Sequence, residues 1–148
     1  MTPDSKPDYE PKTRDAQEVH HEVSTLSSNV LDMIAIQGKV TEPGPMKYPC
    51  GPDEGDSDGL NRVRHPWSLY GVSNAKLQTG MENLERELPS HGWKIAKVGE
   101  DGSRNRNREI LAVHDSTRSQ LEVAWLKGED GHQALLEVTV YSRCFVAR

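Results

Sequence analysis

The clearest pattern of hydrophobic and polar positions lies near the end of the chain, at residues 133–145. Side chains of one parity are small or apolar, namely Ala134, Leu136, Val138, Val140, Ser142 and Cys144. A period of two is typical of a β-strand that lies on a core with its other face toward solvent. The pattern therefore predicts a strand whose core face includes Cys144.

Strands are also indicated at residues 93–98, 109–115 and 120–126, and a short extended piece at 65–71. Polar connections of a few residues separate the last strands, so we expect neighbouring strands to pair antiparallel. Pro66 favours a strand start or a sheet edge for the short piece, because proline cannot donate to a ladder.

Two segments show the helical spacing of apolar residues. Residues 14–36 place Val19, Val23, Leu26, Val30 and Met33 on one stripe, and residues 75–88 do so with Leu77, Met81, Leu84 and Leu88. The first stripe predicts a helix that packs inside the domain, with a partner helix as the alternative. Ser73 or Asn74 is expected to cap the second helix.

These elements predict an α+β fold. We expect a two-layer sandwich, with two amphipathic helices on a four- to five-stranded, mainly antiparallel sheet. The 148 residues suit one domain. Residues 1–13 are expected to be a disordered tail or linker, and residues 14–148 a single domain with a long Pro- and Gly-rich loop at 39–64.

Charge is distributed unevenly along the chain. Residues 1–60 carry 12 acidic and 5 basic side chains, whereas residues 61–148 carry 11 acidic and 13 basic ones. The nearly neutral second part offers no electrostatic basis for binding nucleic acid or membranes. No apolar run approaches the roughly 18 residues of a membrane span. The polar start fits either a cytoplasmic protein or a chain whose export signal has been removed.

The two cysteines, Cys50 and Cys144, lie far apart in sequence. A disulfide between them would tie the long loop to the sheet and requires an oxidising compartment. Two free thiols are the alternative. Nothing around Cys50 matches the signature of a thiol enzyme.

An acidic loop suggests one weak metal site. Glu54, Asp56 and Asp58, followed by Gly59, match the alternating oxygen ligands of a calcium loop. The first ligand is normally Asp, and the twelfth position holds His65 where a Glu is needed. A solvated loop is the alternative. No cofactor motif, paired-acid spacing or catalytic signature is found, and no cofactor is expected.

Aromatic residues are scarce, so those in predicted strands stand out. Core packing is the ordinary role of a strand Trp. If Trp67 faced outward beside Tyr70 or Tyr141, these side chains would mark a binding surface for a partner or ligand.

The chain resembles small uncharacterised secreted proteins and lipoproteins of actinobacteria. The resemblance is carried by the Pro-rich lead, the segments at 31–36, 41–45 and 65–71, the Pro49-Cys50-Gly51 turn and the late Cys144-Phe145. It implies export and a disulfide, and it implies no activity. The polar, Pro-rich start is also typical of the spacer that follows an upstream lipid anchor.

These observations favour a non-enzymatic, exported or envelope-associated domain that binds a protein partner or a small ligand. Two alternatives remain: an enzyme whose site is assembled from dispersed polar residues, and an intracellular partner-binding protein. A deep pocket that collects His65, His114 or Asp115 would favour the enzyme.

Overall fold

The computed structural model describes residues 9–50 and 59–148, which form two α-helices and nine β-strands. The helices are α1 (Ala16–Ile34) and α2 (Asn74–Glu87). The strands are β1 (Thr13–Arg14), β2 (Lys39–Val40), β3 (Met46–Pro49), β4 (Leu60–Tyr70), β5 (Trp93–Glu100), β6 (Arg108–His114), β7 (Gln120–Leu126), β8 (Leu135–Tyr141) and β9 (Phe145–Ala147).

All nine strands belong to one sheet, in the order β1-β9-β4-β8-β7-β6-β5, with β2 and β3 also paired to β4. The long strand β4 lies at its centre. Arg64 of β4 pairs with Met46 of β3 on one side and with Tyr141 of β8 on the other. Likewise Asn61 pairs with Pro49 and with Phe145. Strands β2 and β3 therefore share one side of β4, while β8 and β9 share the other.

The predicted α+β class with two helices is confirmed, but the sheet is larger than the expected four to five strands and is mixed. Strand β1 runs parallel to β9, whereas the other pairings are antiparallel. The additional strands β1, β2, β3 and β9 have two to four residues. Such segments are too short to show an alternating pattern in sequence. Strands β2 and β3 and the first part of β4 thus lie within the segment 39–64 that was expected to be a loop.

Helix α1 begins and ends with defined caps. The Asp15 carboxylate accepts the Gln17 N–H at 2.8 Å, and Ala35 closes the helix in the left-handed conformation, with φ 57°. The predicted stripe of α1 is buried. In α2, Ser73 accepts the N–H of Lys76, and Gly80 lies against α1, where an added Cβ would meet Ile34 Cγ2 at 3.0 Å.

Both helices pack on the same sheet face. His65 of β4 contacts Ser27 of α1, and Trp125 of β7 donates its indole N–H to Asn74 of α2. The pairing register places His65 and Trp125 on one face, because both align with the even-numbered residues of β8. The core residues of this face are Val63, Trp67, Leu69, Ile110, Ala112, Leu121, Val123, Trp125, Leu136, Val138 and Val140.

The alternation predicted for residues 133–145 is interrupted between β8 and β9. Ser142 leaves the strand and bonds twice to Val63, through its N–H to the carbonyl and through its Oγ to the N–H. Phe145 then enters the core, whereas the Cys144 sulfur lies 3.4 Å from Arg62 Nη2. The interruption shifts the alternation by one residue, so the prediction that Cys144 continues the core face is wrong.

Candidate functional site

The Cys50–Cys144 disulfide is present, which confirms the predicted bond between the long loop and the sheet. It joins the residue after β3 to the interruption between β8 and β9, with 6.2 Å between the two Cα atoms and 94 residues of sequence separation. Both half-cystines are buried, at 8% and 4% exposure. The loop and the sheet end are therefore held together covalently.

A cleft of about 250 Å³ lies beside this disulfide. Three segments that are distant in sequence form its walls: residues 10–22, which run through β1 into α1, the β6–β7 turn, and the β8–β9 interruption. The lining residues are Glu10, Lys12, Arg14, Glu22, Ser116, Thr117, Arg118, Ser142, Arg143, Cys144 and Phe145. Cys144 of the disulfide is thus part of one wall.

Among the described residues that line the cleft, four are basic and two are acidic. One ion pair is closed within it, because Arg14 donates to both oxygens of Glu22 at 3.0 and 3.3 Å. This hydrogen bonding raises the pKa of Arg14. Lys12, Arg118 and Arg143 form no ion pair with any described residue, and Glu10 is the other acid among the described lining residues.

Arg143 is held at the cleft by an aromatic ring. Its guanidinium carbon lies 3.4 Å from the centre of the Tyr9 ring, a cation–π contact. The Tyr9 hydroxyl in turn accepts the N–H of Cys144 at 2.8 Å. Arg143 Nε is buried and has no hydrogen-bond partner among the residues that the structure describes. A buried N–H donor without an acceptor is costly and rare in native proteins.

Arg118 reaches the cleft from a strained turn. Its φ of 61° lies in the left-handed region, which non-glycine residues enter at a cost of roughly 1–2 kcal/mol. Backbone bonds fix this conformation, since Arg118 N–H donates to His114 O and His114 N–H donates to Ser119 O, both at 2.8 Å. Thr117 Oγ1 also accepts from Ser119 N–H at 3.2 Å.

A second polar cluster lies on the sheet face opposite the helices. The Tyr141 hydroxyl lies 2.6 Å from Gln120 Oε1 and 2.7 Å from Glu122 Oε2. Burial and the bond to Glu122 raise the pKa of the Tyr141 hydroxyl. Arg62 lies 5.4 Å from the centre of the Tyr141 ring and also contacts the Cys144 sulfur, which links this cluster to the disulfide.

The three aromatic residues considered as a binding surface are not brought together. Trp67 is 4% exposed and belongs to the core beneath the helices, because it shares its parity with Leu69. Tyr70 and Tyr141 lie on the opposite face, at the two ends of the β4–β8 pairing. Binding at these two tyrosines stays a prediction.

Glu54, Asp56 and Asp58, which the sequence suggests as calcium ligands, lie outside the described residues. Within residues 9–50 and 59–148, no three metal-binding side chains come together. His65 bonds to Ser27 and to the Pro43 carbonyl, and burial lowers the pKa of His65. The linings of the cleft and of a second cavity, of about 320 Å³ beside Leu126 and Leu135, do not include His65, His114 or Asp115.

Sequence reasoning missed the cationic cleft, since Lys12, Arg118 and Arg143 lie in three segments with no shared motif.

None of the helices in residues 9–50 and 59–148 is both long and apolar enough to cross a membrane. Comparison of the chain with protein-family models, with curated proteins and with solved structures finds no match.

Proposed function

We propose that this protein is an exported or envelope-associated domain that binds a small ligand in the cleft beside its disulfide. In this proposal the domain is a two-layer sandwich, in which the helices and the sheet form the scaffold and the end of the sheet forms the site. The binding is non-enzymatic, and an upstream lipid anchor would hold the domain at the cell envelope.

The convergence of three segments on one cavity is the observation that carries the proposal. Residues 10–14, 116–118 and 142–145 meet there, and the disulfide closes the wall at Cys144. Clefts with convergent polar groups on a rigid scaffold are the usual sites for small ligands. The volume of about 250 Å³ is just below the roughly 300–1,000 Å³ of drug-sized pockets, so the ligand is small.

The disulfide also supports export. Disulfides persist in extracellular and periplasmic compartments, whereas cytosolic thiols are kept reduced. With both cysteines in one bond, no free thiol is left to react.

A fragment screen observed by amide NMR tests the proposal. Spectra of the oxidised, ¹⁵N-labelled chain are recorded with a small-molecule library that includes acids, bases and neutral compounds. We expect shifted amides to cluster at the three lining segments. Perturbations confined to the face of Tyr70 would contradict a cleft site and assign binding to that face.

Two matched variants sharpen the screen. Ser116 lines the cleft, so Ser116→Trp should fill the cavity and abolish the shifts. Ser28 is an exposed residue of α1 outside the cleft, so Ser28→Trp should leave them unchanged. Equal shifts in both variants would show that the ligands bind elsewhere.

A further inference from the structure

We infer that the cleft is an oxyanion site that takes a small ligand with a carboxylate or phosphate group. This inference rests on the proposed function and adds the chemical class of the ligand. It starts from the reversal of charge at the cleft. The whole chain has a net charge of −5, whereas the described residues that line the cleft include four basic and two acidic side chains. Positive charges gathered in one cavity favour the binding of an anion there.

The Arg14–Glu22 pair leaves the positive charge of the cleft on Lys12, Arg118 and Arg143. Lys12 and Arg118 are exposed. Two guanidinium groups on different walls present planar forks of N–H donors, a geometry that matches carboxylate and phosphate oxygens. An uncharged ligand would accept only neutral hydrogen bonds from these donors, and such bonds are weaker than those to an oxyanion.

Arg143 gives the most specific evidence. The Tyr9 ring covers one face of its guanidinium, so the N–H donors remain available in the guanidinium plane. Its Nε is buried and unpartnered among the described residues. The terminal Nη groups of Arg143 are therefore the donors that an oxyanion in the cleft would engage.

Arg118 gives an independent argument. The chain holds an arginine at φ 61°, where glycine would avoid the strain. Strained backbone positions that persist are concentrated at functional sites. Arg106 has a similar φ of 51° but lies outside the cleft lining, which makes it a matched control.

Isothermal titration calorimetry at low, constant ionic strength tests the inference on the oxidised full chain. The probes are succinate, its uncharged isostere succinamide, and inorganic phosphate. We expect succinate or phosphate to bind at least tenfold more tightly than succinamide, because charge-assisted hydrogen bonds are lost in the amide. Tighter binding of succinate assigns a carboxylate ligand, and tighter binding of phosphate assigns a phosphate ligand.

Arg118→Gly should weaken binding of the preferred anion about tenfold or more without lowering the melting temperature, because glycine relieves the left-handed strain. Arg106→Gly should leave the affinity unchanged. Arg143→Gln removes the charge and the terminal donors of the second guanidinium and should also weaken binding about tenfold or more. Equal losses in Arg118→Gly and Arg106→Gly would overturn the inference, as would equal affinities for succinate and succinamide.

The outcomes separate this inference from the proposed function. If uncharged fragments shift the cleft amides and neither anion binds, the oxyanion class is wrong while the binding site stands. If no compound of any charge shifts the cleft amides, both are wrong.

Discussion

Reduction of the disulfide should lower stability by several kcal/mol without changing the fold. The bond joins residues that are 94 positions apart. In the chain-entropy model, a closed loop of that length removes about 4–5 kcal/mol of conformational freedom from the unfolded state at 25 °C. Since small domains are stable by roughly 5–15 kcal/mol in total, this one bond accounts for a large fraction of the whole.

Urea denaturation of the oxidised and reduced protein measures this difference. We expect the midpoint to fall on reduction and the denaturant dependence to rise, because an unlinked unfolded chain exposes more surface. The Cys50→Ala/Cys144→Ala variant is the matched control. It loses both the link and the two buried sulfur atoms, so it should be less stable than the reduced wild type.

A loss below about 1 kcal/mol on reduction would refute the reasoning. It would mean that the unfolded chain is already restrained near the two cysteines, or that the bond distorts the native sheet end. A reduced protein that loses its helical signal altogether would instead show that the disulfide is needed for folding.

Three further predictions concern pH and backbone geometry. Burial lowers the pKa of His65, so the folded state favours the neutral ring and stability should fall as the pH drops below about 6.5. In thermal melts at pH 5–7.5, His65→Gln should reduce the dependence of the melting temperature on pH. Gly128→Ala should cost about 2 kcal/mol or more, because φ is +75° and the new Cβ would lie 2.5 Å from the His132 carbonyl. Gly131→Ala, at φ +80° with open space around it, should cost less; equal losses in urea melts would contradict this account. Since the pKa of Tyr141 is raised, its hydroxyl should not ionise between pH 8 and 11. Tyr141→Phe should therefore leave the tyrosinate absorbance change at 295 nm over that range unaltered, and a smaller change in the variant would contradict the burial and bonding described.

The parts of the fold that the sequence predicts are those with sustained periodicity. The stripe of α1 and the alternation of Leu121, Val123 and Trp125 continue over several turns or residue pairs, and each is buried as expected. Strands β1 and β2 have two residues each and exist because β9 and β4 offer free edges. Such strands follow from tertiary pairing, which no local pattern records.

The site was predictable only at the disulfide. Cys50 and Cys144 could be paired by cysteine count, whereas the direction of Cys144 depended on an interruption that Val63 stabilises through two bonds to Ser142. Arg143 of the cleft packs on Tyr9, which lies in a segment expected to be disordered. One sequence gives no sign of that contact, because its partners are more than 130 residues apart.

A crystal structure of the oxidised protein grown with the tighter-binding anion tests the central claim most directly. The account predicts the ligand's oxyanion group in the cleft, with its oxygens about 2.7–3.0 Å from terminal guanidinium nitrogens of Arg118 and Arg143. An empty cleft, with the anion bound on another surface or absent from the crystal, would contradict it.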